Sequence, residues 1–87
     1  MTHYEFFEAA WNDIWDSFNE KKKEFILSVK GLKETLYCAV ITILSSVIAG
    51  NFKMDPNRIV DIIKIETSIV IKKEIIENIL RRLYYEV

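Results

Sequence analysis

Thr2-His3-Tyr4-Glu5-Phe6-Phe7-Glu8-Ala9-Ala10-Trp11-Asn12-Asp13-Ile14-Trp15-Asp16-Ser17-Phe18 is the stretch that most constrains the fold. Thr2 and Glu5 form a T-x-x-E capping box, which marks a helix start. Tyr4, Phe7, Trp11, Ile14 and Phe18 follow at spacings of three and four, so five large side chains share one stripe. Phe6, Ala10 and Trp15 widen it. The pattern weakens at residues 19–23 and resumes with Phe25, Ile26, Leu27 and Val29, which predicts one helix over 3–30, with a break near Asn19 as the alternative. Gly31 can end that helix and cap the next, with Glu34 at its third position.

Working outward, a second helix is expected over 32–49. Leu36, Val40, Ile43, Leu44, Val47 and Ile48 form a bulky face, and Thr35, Cys38, Ala39, Thr42, Ser45, Ser46 and Ala49 a face of small groups that lets another backbone come close. A helix so nearly apolar all round is central in a bundle or sits in lipid. Residues 35–52 carry no charge, so a membrane span over 35–52 is an alternative, although four Ser and Thr hydroxyls lie inside it. Gly50-Asn51 is a stop signal. Asp55-Pro56 is an N-cap followed by proline at the first helical position, and opens a third helix over 56–66. Its apolar residues are β-branched (Ile59, Val60, Ile62, Ile63, Ile65), so a hairpin of 60–65 with 69–71 across Thr67-Ser68 is the competing reading. A fourth helix over 71–86 carries the stripe Ile71, Ile75, Ile76, Ile79, Leu80, Leu83, Tyr84 and Val87. The expected fold is therefore all-α, a small bundle of about four helices in one domain, 1–87.

Composition agrees. With two glycines and one proline among 87 residues there are too few turn formers for a loop-rich or all-β chain, and an apolar fraction of 51% suffices for a core. The net charge of −1 excludes both a strong nonspecific grip on nucleic acid and a densely acidic surface. The charges are segregated nonetheless. Residues 1–20 hold Glu5, Glu8, Asp13, Asp16 and Glu20 with no Lys or Arg, whereas residues 21–33 hold Lys21, Lys22, Lys23, Lys30 and Lys33 against Glu24 alone. Acids at the start of a helix and bases at its end suit the helix dipole, and the same arrangement makes a bipolar surface. Cys38, the only cysteine, lies in the apolar run 36–40 and is expected to be a buried thiol in a reducing compartment. No basic, unbroken apolar leader is present, so a cytoplasmic chain is expected.

No catalytic, cofactor-binding or metal-binding residues are evident in the sequence. His3 is the only histidine and Cys38 the only thiol, so neither a converging ligand set nor a nucleophile with an adjacent base is evident. Asp13, Asp16 and Glu20 share a helical face with nothing to oppose them, and helices of this length are expected to leave no cleft. Gly31 and Gly50 are too far apart for a phosphate-cradling loop. No enzyme activity and no cofactor are expected.

Seven of the eleven aromatic residues fall between Tyr4 and Phe25, more than one small core readily covers. Surplus aromatics mark interfaces. The favoured reading is a protein–protein interaction module of inhibitor, immunity or assembly type, using Phe6, Trp11, Trp15 and Phe18 against another protein or a second copy of itself. The alternative is a DNA-binding helix-turn-helix over 57–86, with Lys72, Lys73, Asn78, Arg81 and Arg82 reaching phosphates or base edges. Residues 65–80 look like such a motif in outline. Ser68 stands where glycine is usual, Lys64 where a small residue is usual, and the turn is one residue too long, which brings Glu74 to an apolar position.

Overall fold

Thr2 opens α1 (His3–Ser17) as its N-cap, its hydroxyl accepting the Glu5 backbone N–H at 3.1 Å. The computed structural model describes residues 2–53 and 55–86, within which the chain forms five helices and no strand. The fifth helix comes from the break foreseen near Asn19. Phe18 and Asn19 are extended, and the Asn19 side chain caps α2 (Glu20–Ser28) by accepting the Lys22 N–H at 2.8 Å. The expected single helix over 3–30 is thus two, because an asparagine competes for the backbone where apolar periodicity lapses.

Gly31, at φ 79°, starts α3 (Leu32–Ile48) in a left-handed conformation that β-carbon-bearing residues rarely adopt. Gly50, at φ 78°, ends it. The Asn51 N–H donates to the Ser46 carbonyl and the Gly50 N–H to the Val47 carbonyl, a Schellman closure that satisfies two terminal carbonyls. Asp55 caps α4 (Pro56–Thr67), with Pro56 at the first position as expected. The β-branched residues take the helix rather than the hairpin. Ile59 and Ile63 are both buried one turn apart, with Thr67 one turn further, and that burial outweighs a propensity deficit of a few tenths of a kcal/mol each. The final helix, α5, runs Lys73–Glu86, two residues later than expected, since Ile69 and Ile71 are buried from the connecting segment instead. Val87 lies outside the described residues.

α1 packs on α3 and α5, and α4 packs on the same two, so four helices close a ring around one core. α2 packs chiefly on α3, bent from it by 104°. The core draws Phe6, Ala10 and Ile14 from α1, Phe18 from just beyond its end, Leu36, Val40, Ile43, Leu44 and Val47 from α3, Ile59 and Ile63 from α4, and Ile76, Ile79 and Leu80 from α5. The radius of gyration, 12.4 Å, matches the ~12 Å of a compact domain of this length.

Two expectations about α3 need correction. Its bulky face is buried as read, but its small face is not covered by another helix: Thr35, Cys38, Thr42, Ser45 and Ala49 are exposed, and only Ala39 is buried. Cys38 is therefore an exposed thiol, because neighbours on a helix point ~100° apart and a run of apolar letters cannot all face one core. Residues 35–52 are not one helix either. No single helix among the described residues is long and apolar enough to cross a membrane, and α2 and α3 reach that measure only as a bent pair.

Candidate functional site

The four-residue spacing of Phe6, Ala10, Ile14 and Phe18 sets which way α1 faces. These four side chains are buried, so the core line runs to one side of the stripe formed by Tyr4, Phe7 and Trp11. At 100° per residue, Phe7, Trp11, Tyr4 and Trp15 follow round the helix in that order from the core line toward solvent, with Glu8 beyond them. On the opposite flank Asp13 and Asp16 turn toward α5.

The four expected contact residues are thereby split. Phe6, expected at the surface, is completely buried, and Phe18 is 6% exposed; both belong to the core. Trp11 and Trp15 are half-buried, packed on the core with part of each ring open. Their rings stack at 5.9 Å with a 29° interplanar angle. Tyr37 of α3 meets Trp11 edge-on at 5.3 Å and 86°, and Trp15 meets Phe18 edge-on at 6.0 Å and 79°, the offset and T-shaped arrangements that ring quadrupoles favour. Tyr37 is 40% exposed and Tyr4 73%, so both join the face although neither was expected to. Tyr37 was legible in principle, since it sits just off the bulky stripe of α3, but only the packing of α3 on α1 brings it to Trp11.

Lysines border this face. Lys33 Nζ lies 4.5 Å from the Trp15 ring centroid and Lys22 Nζ 4.9 Å from that of Phe18. Lys22 also donates to the Val70 carbonyl at 2.6 Å. Partial burial, and then the Lys72 charge beside it, hold the Lys22 amine below its usual range. Trp11, Lys33, Glu34, Tyr37 and Cys38 line an open hollow of about 350 Å³. Phe25 and Leu27 on α2 and Ile65 on α4 are exposed too, but they make no ring contact among the described residues.

The helices do leave a larger cleft, contrary to expectation. It holds about 700 Å³ between α1 and α5, lined by Asp13, Asp16, Ser17, Ile75, Asn78, Arg81 and Arg82. Most of its polar groups have partners among the described residues, and Asp16 is the exception. Asp13 pairs with Arg82, Arg81 donates to Asn78 Oδ1 at 2.9 Å, and Ser17 Oγ donates to the Ile14 carbonyl at 2.6 Å. The Ser17 hydroxyl bonds no His, Asp or Glu side chain among the described residues. No group of three or more His, Cys, Asp or Glu among the described residues could hold a metal ion.

Of the residues considered for DNA, Lys72 and Lys73 are exposed, Lys73 pairs with Glu77 at 3.7 Å, Asn78 and Arg81 bond each other, and Arg82 is half-buried against α1. Exposed Glu74 interrupts them, so the outer strip of α5 is mixed in charge rather than continuously basic. The connection spans five residues, 68–72, against the three or four of a helix-turn-helix. Ser68, however, sits at φ 63°, the left-handed conformation that a turn glycine would supply. No family model matches this chain, and neither a curated protein nor a solved structure matches it.

Proposed function

We propose that this chain is a non-enzymatic protein-interaction module that docks through the aromatic face of α1 and α3. The observation that carries this reading is that Trp11 and Trp15 stay partly open to solvent and are joined by the Tyr37 ring, with exposed Tyr4 further along the same side of α1. Tryptophan and tyrosine are the side chains from which interfaces draw most of their binding energy, and a rim of lysines and glutamates around them is the usual polar border.

The test compares wild-type protein with Trp11→Ala and Trp15→Ala in affinity capture from the native host and in self-association. Each variant is expected to weaken the complex at least tenfold, as an anchor worth ~1.4 kcal/mol or more, while still unfolding cooperatively. Unchanged capture and unchanged self-association in both variants would remove the reading.

DNA binding by 57–86 is the second reading, favoured by the left-handed Ser68 and by Lys72 standing beside Lys22. It predicts binding to duplex DNA at low salt that weakens as salt rises and weakens further in Lys72→Ala and Arg81→Ala. The mixed charge of α5 argues against it.

A further inference from the structure

We infer that the aromatic face receives a second copy of this chain, packed about a two-fold axis that crosses α1 at right angles near Trp11. The inference rests on the docking reading above and names what covers the face. Trp11 lies midway along the ridge, with Trp15 stacked on it toward one end and Tyr4 toward the other. Charge is divided between these ends. At the N-terminal end Glu5 and Glu8 are exposed, and residues 2–20 contain no Lys or Arg. At the opposite end Lys33 reaches over Trp15, Lys22 over Phe18, and Lys72 stands beside Lys22. None of these three lysines makes an ion pair among the described residues. Glu34, beside Lys33 in the hollow, leaves that end net positive.

The two ends of the ridge are therefore complementary to each other, and a surface of that kind is complementary to its own copy in antiparallel register. A half-turn about an axis through Trp11 brings Glu8 of one copy level with Trp15 and Lys33 of the other. Glu8 precedes Trp11 by three residues and Trp15 follows it by four, about 4.5 and 6 Å along the helix at 1.5 Å per residue, so the register closes within about one residue. The two α1 dipoles then run in opposite directions, and each acid–base contact occurs twice. A parallel register would set Glu8 against Glu8. A stable dimer covers about 800 Å² per copy, about one-seventh of this molecule's accessible surface of 5574 Å².

Sedimentation equilibrium on the full chain, from low to high micromolar, is expected to show reversible dimerisation. Glu8→Lys or Lys33→Glu alone places like charges opposite each other at both ends, and each is expected to weaken the dimer roughly tenfold. Mixed in equal amounts, the two variants are expected to recover wild-type affinity as a heterodimer, because each copy then meets the opposite charge at both ends. Glu8 has no hydrogen bond or ion pair among the described residues, so Glu8→Lys carries the test alone if Lys33→Glu fails to melt cooperatively. A wild-type chain that stays monomeric, a dimer indifferent to Glu8→Lys, or a mixture of two folded variants that does not pair overturns the proposal. A monomer that nonetheless captures a host protein in a Trp15-dependent way leaves the docking reading standing. If neither Trp11→Ala nor Trp15→Ala alters capture or self-association, that reading falls as well.

Discussion

Single residues show where local chemistry sets a conformation and where it is strained. Thr67 is the one buried polar residue described, and its hydroxyl is fully used, donating to the Ile63 carbonyl at 2.7 Å and accepting the Ile69 N–H at 3.1 Å. It ties the end of α4 to the buried Ile69. Next to it, Ser68 holds φ 63°, which costs a residue with a β-carbon roughly 1–2 kcal/mol. Ser68→Gly removes that cost and returns part of it through the freer unfolded chain, so stability is expected to rise by about 0.5–1 kcal/mol in urea denaturation. Lys22 is the one described group whose titration is clearly displaced, downward, by burial and then by Lys72. The folded state therefore releases the Lys22 proton before the unfolded state does. Between the lowered value and the usual lysine value the unfolded chain binds more protons, and this residue's contribution to stability rises with pH across that window. Lys72→Gln is expected to move the Lys22 midpoint upward, read from its side-chain resonances in an NMR titration. An unmoved midpoint would assign the shift to burial alone.

At the scale of elements, caps and glycines decide where helices stop, and packing decides which face is buried. α2 exists as a separate helix because Asn19 accepts the Lys22 N–H. Asn19→Ala is expected to cost about 1 kcal/mol and to lower helicity by far-UV circular dichroism, as loss of an N-cap does elsewhere. Much of this was legible. The T-x-x-E box, Asp55-Pro56 and Gly50-Asn51 are local signals, and their helix ends follow from bonds within a few residues. The start of α5 was not legible at this precision. Ile71 fits the helical stripe, yet it is buried from an irregular connecting segment, and only the fit of Ile69 and Ile71 against the core separates the two.

For the whole molecule, the ring of α1, α3, α4 and α5 explains why α1 has two different flanks. The core line of Phe6, Ala10 and Ile14 points inward, the aromatics spill toward α3, and Asp13 turns to Arg82 of α5, 69 residues away. Phe6→Ala is expected to cost ~3–5 kcal/mol, enough to unfold much of a domain of this size at ordinary temperature. Tyr4→Ala, 73% exposed, is expected to change stability by less than about 0.5 kcal/mol. Chemical denaturation of the two variants measures how far the core line and the aromatic face are separate surfaces. Comparable losses would mean that the face is structural.

From the letters alone came the all-helical class, the capping residues, the break near Asn19 and the buried face of α3, because each depends on period and on hydrogen bonds a few residues long. Which aromatic residues remain at the surface could not come that way. On α1 both Phe6 and Phe7 fit an apolar stripe, and the choice between them depends on where α3 and α5 lie. Those helices bury Phe6 and leave Trp11 and Trp15 half open, and they carry Tyr37 and Lys33 to the same face from a distant part of the chain. Burial of apolar area is a property of neighbours in space, so only the assembled ring could decide it.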